Sequence, residues 1–320
     1  MIPPAIQALV LMSRPLILPS GVLAFGLGVA MAWPVAGPAP WHRVLLALAL
    51  TLIANLAAHF ADEYADADTD ALARPTGVSG GSGAIAAGLA VPGLALRAAA
   101  LTTAFAVAVG LLGTLRGVLP PICLWYLALG LAGGWAYSMP PLALERRGLG
   151  ELANALLGGM LMPLMGYAAI AGPPPLVVHL ALLPVVAAVL ANLMDVHWAD
   201  RHADAAVGKR TLAVILGPHA GALQRLWLTL TYGLPLVLAA AGALPWPVAR
   251  ASLLTLPVGL YAAWRFGRDS LPIGGPAAMV AFMVAYASGY LGGEWPPEPI
   301  LPPVVAPDDE VDSWWTGNRQ

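Results

Sequence analysis

The sequence predicts an all-α integral membrane protein of about nine transmembrane helices, and three observations carry that prediction. Hydrophobic residues make up 59% of the 320-residue chain and charged residues only 10%, against about 25% charged in a soluble domain. Apolar runs of about 20 residues, the length that crosses a bilayer core, recur at 15–35, 43–62, 94–113, 118–137, 151–170, 175–195, 225–243, 247–264 and 276–293. With that count the termini lie on opposite faces, and the basic residues divide unequally between them. Only Arg43, Arg116, Arg250 and Arg319 of the 15 Lys and Arg residues fall on the C-terminal face. The positive-inside rule then places the N-terminus and the loops after the even-numbered spans in the cytoplasm, and the C-terminal tail on the opposite face of the cell membrane.

Taken in order, the first 14 residues form an interfacial lead that ends at Arg14-Pro15. No charged region followed by a cleavage site precedes the first run, so 15–35 is read as a retained span. The second run passes directly into Asn55-Leu-Ala-Ala-His59-Phe-Ala-Asp62-Glu63-Tyr64-Ala-Asp66-Ala-Asp68-Thr-Asp70. Arg74-Pro75 and the small-residue loop Ser79-Gly-Gly-Ser-Gly83 follow, suited either to bending around a ligand or to serving as a linker. Cys123 lies alone in the fourth run and is read as a packing residue, with no disulfide framework.

That run ends in Tyr137-Ser-Met-Pro140-Pro141, where two prolines stop the helix. Arg146-Arg147 comes next; arginine forks suit phosphate oxygens, and an Arg pair is equally a membrane anchor. The sixth run opens into Asn192-Leu-Met-Asp195-Val-His197-Trp-Ala-Asp200-Arg-His202-Ala-Asp204, followed by Gly208-Lys209-Arg210-Thr211, with the single lysine of the chain. Residues 1–293 read as one membrane domain. The segment 294–320, rich in Pro and acid, reads as a disordered tail whose Trp314-Trp315 pair meets the interface.

Of 17 acidic residues, five lie in 62–70 and three in 195–204, at two membrane exits on the same side. Asp62, Asp66 and Asp70 recur every four residues, as do Asp200 and Asp204, so a continuing helix places each set on one face. Like charges so placed repel, and a hard divalent cation relieves the repulsion; Mg2+ commonly joins carboxylates to substrate phosphates. Two such clusters with Arg and Lys between them suit a diphosphate, where metal and basic groups neutralise charge on a departing oxygen. An acidic water-facing loop, a cation or lipid transporter and a phospholipid-head transferase are the other readings. No basic tract points to nucleic acid, and no feature points to a protein partner.

These residues resemble the UbiA superfamily of intramembrane aromatic prenyltransferases, and within it the branch that prenylates 1,4-dihydroxy-2-naphthoate in menaquinone synthesis. The likeness runs from Arg14 to about Gly217. Asn55, Asp62 and Asp66 match the first acidic motif, with Ala58-His59 in place of its inner Asn-Asp pair. Arg74-Pro-Thr, the Ser79–Gly83 loop, Tyr137-Ser-x-Pro-Pro and Arg147-Gly-Leu-Gly-Glu151 are similar to the branch pattern. Asp200-x-x-x-Asp204-x-x-x-Gly208-Lys209-Arg210-Thr211 resembles the second acidic motif.

The resemblance implies helices around a central cavity, open laterally to lipid, with Mg2+ holding a polyprenyl diphosphate for transfer to an aromatic acceptor. Asp62, Asp66, Asp200 and Asp204 would take the metal roles, with Asn55 supporting the first site. Arg74, Arg147 and Lys209 would bind diphosphate, and Tyr137 would stabilise the cation or contact the diphosphate. His59 is expected to contact acceptor or diphosphate rather than metal, because imidazole suits Mg2+ less well than oxygen. Glu63 or Asp70 is the candidate to make good the missing carboxylate. Asn192 joins the substrate-binding set, and Asp195 falls either among the ligands or one face away.

Overall fold

The computed structural model describes residues 3–36, 40–70, 81–268, 271–291 and 295. Among these the chain is all-helical, without a strand. In order the elements are α1 (Pro4–Met12), α2 (Leu18–Ala36), α3 (Trp41–Ala65), α4 (Ala67–Asp70), α5 (Pro92–Leu115), α6 (Pro121–Ser138) and a 3-10 turn, Leu144–Arg147. There follow α7 (Gly150–Leu156), a π turn (Leu157–Leu161), α8 (Met162–Ala171), α9 (Leu176–Ala206) and α10 (Leu212–Leu216). A second 3-10 turn, Gly217–His219, leads to α11 (Ala220–Ala240), α12 (Trp246–Leu253), α13 (Leu256–Arg265) and α14 (Gly274–Ser288).

Each predicted span overlaps helix among the described residues, but the count of nine crossings is not reproduced. Among the described residues, five helical stretches are long and apolar enough to cross a membrane: Leu18–Val35, Trp41–Ala65, Pro92–Leu115, Gly150–Ala171 and Leu176–Ala206. The eighth predicted span is broken into α12 and α13. Pro257 has no amide to offer the Leu253 carbonyl four residues back, and the Thr255 carbonyl, which the Val258 amide reaches at 2.9 Å, also accepts the Tyr232 hydroxyl at 3.0 Å. Of the predicted tail, Trp295 is buried against Tyr290, with ring centroids 5.0 Å apart. The rest of 294–320, like Arg74 and Ser79, lies outside the described residues.

α2 and α8 meet backbone to backbone. A Cβ on Gly28 would run into the Pro163 carbonyl oxygen, and one on Gly166 into that of Phe25. Small residues that let helices approach this closely replace the hydrophobic drive that lipid cannot supply. Residues Pro163–Ile170 of α8 are buried throughout, and α9 carries most of the remaining core against α11 and α14.

α9 outruns its predicted end at 195. Its 31 residues make about 46 Å at 1.5 Å per residue, well beyond a core of about 30 Å. The apolar run stops at Asn192, but the helix carries Asp195, His197, Asp200 and Asp204 onward from the membrane. α3 behaves differently: it ends at Ala65, Asp66 caps it, and the Asp70 amide bonds the Asp66 carbonyl at 2.8 Å as α4 closes. The expected continuous helix through Asp70 is therefore interrupted by a turn at Asp66.

Candidate active site

A cavity of about 370 Å³ lies among α2, α3, α6, α7, α9 and α14. Most of its wall is apolar, with Leu127, Leu157, Leu161, Met165 and Met279 prominent. Away from the mouth its polar exceptions include Asn55 and His59 of α3, Asn154 of α7 and Asn192 of α9, with Ser20, Thr51 and Tyr126 also on the wall. His59 Nδ1 donates to the Ser13 carbonyl at 3.1 Å, which leaves Nε2 as an acceptor. The Asn192 Oδ1 is buried and has no partner.

At one end, Arg14, Asp62, Tyr137, Val196 and His197 form a wall shared with a second, polar recess of about 80 Å³. The recess gathers six carboxylates, Asp62, Asp66, Asp70, Glu145, Asp200 and Asp204, around two fixed cations, Arg14 and Lys209. One oxygen each of Asp62, Asp66 and Glu145 can be chosen so that all three lie within 4.8 Å of one another. Lys209 Nζ bridges Asp66 Oδ2 at 2.6 Å and Glu145 Oε2 at 2.7 Å. Glu145 Oε1 is buried without a partner among the described residues.

Local chain geometry explains these positions. Gly208 takes a positive φ of 74°, and the Lys209 amide returns to the Asp204 carbonyl at 2.9 Å, which turns Lys209 back over the recess. Arg14 has a φ of 50°, a left-handed conformation that costs a non-glycine residue about 1–3 kcal/mol. That turn separates α1 from α2 and aims the guanidinium at Asp62 (2.9 Å) and Glu63 (2.9 Å). Glu63 also accepts the Ser82 amide at 2.9 Å, so one buried carboxylate ties the arginine to the loop after α4.

The charge excess shows in the titrating groups outside the spans. Burial, with Asp62 and Asp66 adding to it, pushes the Glu145 carboxyl up to about 9. Burial, with Asp62, Asp66 and Glu63 adding to it, pushes Asp70 up to about 8. Burial alone would lower Lys209; Asp66, Glu145 and Asp62 outweigh it and hold the ammonium charged. A crowd of buried carboxylates that offers only oxygen donors is the composition that a hard divalent ion satisfies.

The model of the UbiA prenyltransferase family matches residues 22–286. The chain belongs to this family. It is a multi-pass membrane protein. No curated protein sequence matches it. Solved structures similar to this UbiA chain include a UbiA homologue from Archaeoglobus fulgidus bound to GPP and Mg2+. That protein is 14% identical, with a TM-score of 0.65 over 89% of this chain and 100% of the other. A UbiA homologue from Aeropyrum pernix K1 is 18% identical, with a TM-score of 0.64 over 84% of this chain and 96% of the other. A structure described as digeranylgeranylglyceryl phosphate synthase is 11% identical, with a TM-score of 0.62 over 90% and 99%.

In this UbiA fold the sequence-predicted residues separate into groups. Asp62, Asp66, Asp200, Asp204, Tyr137 and Lys209 meet at the recess. Asn55, His59 and Asn192 line the cavity instead. Arg147 is not brought to either: it is exposed and donates to the Pro141 carbonyl at 2.7 Å. The four-residue 3-10 turn gives the recess side to its neighbour Arg146, which reaches the Ala65 carbonyl at 2.9 Å and Asp66 at 3.4 Å. Asp195 lies a face away from the recess and accepts the Gly275 amide at 2.7 Å, fastening α14 to α9. Glu63 is occupied by Arg14 and Ser82, whereas Asp70 does line the recess.

From the sequence, His197, like His202, reads either as an acceptor-side base or as a solvated or packing residue, whereas Arg14 and Glu145 were not in the predicted set of site residues. Arg14 reads as an interface anchor before Pro15, and Glu145 stands in a turn with no helical period. Their only sequence signal is charge at the edge of an apolar run, a functional candidate by default in a membrane protein.

Proposed function

We propose that this chain is a Mg2+-dependent prenyltransferase that moves a polyprenyl group from its diphosphate to an aromatic quinone precursor, with 1,4-dihydroxy-2-naphthoate the acceptor, as in menaquinone synthesis. The observation that carries the reading is the shared wall: a carboxylate-rich recess opens through Arg14, Asp62, Tyr137 and His197 into a mainly apolar cavity. An amphiphile with an anionic head and an isoprenoid chain has this division. The Archaeoglobus homologues bound to GPP and to DMAPP with Mg2+ support the substrate class and the ion. The Arg147-Gly-Leu-Gly-Glu151 and Gly208-Lys209-Arg210-Thr211 segments support the naphthoate branch.

Asp62, Asp66 and Glu145 would hold Mg2+ on one side of the recess, and Asp200 and Asp204 on the other. Bound there, the ion supplies Lewis-acid neutralisation of the departing diphosphate. Lys209 and Arg14 lie against these carboxylates, placed to exchange them for phosphate oxygens as the substrate enters. Ser138 holds Asp62 through a hydroxyl at 2.7 Å and keeps its other oxygen facing Arg14. The apolar wall keeps water from the allylic carbon, and Tyr137 stands at the boundary where positive charge develops. By the distribution of basic residues the recess faces the cytoplasm.

The test incubates purified protein with Mg2+, geranylgeranyl diphosphate and 1,4-dihydroxy-2-naphthoate, with diphosphate release and mass analysis of the lipid extract as readouts. A prenylated, decarboxylated naphthoquinol is expected, and Asp66→Ala or Asp204→Ala should abolish it in protein that remains folded. Release with a different acceptor alone would overturn the branch. Full activity in both variants would overturn the metal sites.

A further inference from the structure

His197 stands in the wall common to cavity and recess, and it is held there by a group the reading above leaves without a role. Its Nδ1 donates to Glu151 Oε1 at 2.8 Å. Glu151 is 0% exposed, and the same oxygen accepts the Leu212 amide at 2.7 Å, so the carboxylate is anchored between α9 and α10. Its Oε2 is buried without a partner. A buried carboxylate fixes the imidazole tautomer, leaves Nε2 with its lone pair, and stabilises the imidazolium once a proton arrives.

A histidine serving packing alone would be sealed from the chamber. This one keeps 13% of its side chain exposed while lining both compartments. Five residues earlier on α9, Asn192 lines the cavity with its unpartnered Oδ1. A hydroxylated ring in the cavity would satisfy both groups. His59 also lines the cavity, but its Nδ1 partner is a neutral backbone carbonyl, which supports a cationic ring less than a carboxylate does. The other titratable and charged groups around His197 are Lys209 and Asp204, with Arg14, Asp62, Asp66, Asp70, Glu145 and Asp200 lining the same recess.

We propose that the Glu151–His197 pair is the proton acceptor for the hydroxyl of the aromatic acceptor. This rests on the prenyltransfer reading. The hydroxyl proton passes to His197 Nε2, and the oxygen's electron density enters the ring. The ring carbon beside that oxygen bonds the allylic carbon, whose C–O bond breaks with its electron pair going to diphosphate. When the alkylated carbon carries a carboxylate, CO2 leaves, its bonding pair restores the aromatic ring, and His197 returns the proton to the oxygen. When that carbon carries hydrogen, the hydrogen leaves as a proton to the released diphosphate, its bonding pair restores the ring, and His197 again returns its own proton to the oxygen.

The experiment compares wild type, His197→Gln and Glu151→Gln on a series of 1-naphthols of graded hydroxyl acidity. A second measurement is thermal stabilisation by inorganic diphosphate with Mg2+. General acid–base catalysis contributes about 10²–10⁴-fold, so His197→Gln should lose at least about 100-fold in kcat with diphosphate stabilisation unchanged. Glu151→Gln should lose about tenfold, below that scale because the ring stays in place and loses only its carboxylate support. Both losses should shrink as the naphthol becomes more acidic, since an acceptor already ionised needs no base. Normal turnover in His197→Gln, a loss that ignores naphthol acidity, or joint loss of turnover and diphosphate stabilisation would each overturn the proposal. A wild-type protein that prenylates no acceptor refutes the functional reading itself, a result separate from any of these.

Discussion

Lys209→Met isolates the electrostatics of the recess. Lys209 is 7% exposed and its ammonium lies within 2.7 Å of Asp66 and Glu145, which are 6% and 1% exposed. Removing one partner of a buried ion pair costs about 3–5 kcal/mol, because the stranded charge remains desolvated. Glu145, pushed up to about 9, carries its proton at neutral pH, so Asp66 is the anion left behind. Arg146, at 3.4 Å from Asp66, recovers part of the loss. The expected cost is therefore near the lower limit, about 3 kcal/mol, or about 6 °C in Tm at about 2 °C per kcal/mol for a chain of this size. The assay is thermal unfolding in detergent, first in EDTA and then in saturating Mg2+. The variant should fall well below wild type in EDTA and recover more than half of the deficit in Mg2+, since the ion replaces the missing positive charge. A variant that melts with wild type in EDTA would refute the claim that Lys209 neutralises the recess.

The same excess of carboxylates sets a pH dependence. Glu145 rises from 4.5 to about 9 on folding, so its contribution to stability is fully present below 4.5 and is lost as pH climbs through about 9. Asp70 acts in the same sense between 3.8 and about 8. Melting in EDTA should therefore fall across that range and flatten when Mg2+ is added; a flat profile in EDTA would contradict the burial. His59→Asp should leave the Mg2+ concentration for half activity unchanged, because His59 faces the cavity and not the recess. A lower requirement would place residue 59 among the metal ligands. Gly275→Ala would set a Cβ 2.8 Å from Asp195 Cβ and 2.9 Å from Asn192 Cα. Overpacking of that kind costs about 1–3 kcal/mol, read as lowered Tm with weakened acceptor binding through the displaced Asn192.

The helical class was legible because apolar runs and a scarce charge complement leave few other structures in a bilayer. Asp62, Asp66, Asp200 and Asp204 could be found because their spacing matches a helical turn, and the recess does collect all four. Hydropathy could not show that α9 continues past Asp195, since the helix persists where the apolar signal stops. The choice between Arg146 and Arg147 depends on a 3-10 turn, where neither the helical nor the strand period applies. In the sequence Glu151 stands out only as the end of the Arg147-Gly-Leu-Gly-Glu151 segment. Only the fold, by carrying His197 to it across 46 positions of sequence, shows its partner.

The π turn at Leu157–Leu161 divides one apparent span into two halves with separate obligations. Upstream, Glu151 must meet His197; downstream, Gly166 must lie against the Phe25 carbonyl. Each residue of α-helix advances the face by about 100°, and the wider turn absorbs one residue without that advance being passed on. Deleting a single residue from 157–161 would straighten the segment and swing one half by roughly that angle relative to the other. The protein could then keep its proton-accepting pair or its tightest helix contact, but not both. Homologous chains that share both contacts are therefore expected to hold the spacing between positions 151 and 166 constant, while tolerating length changes in the loops on either side.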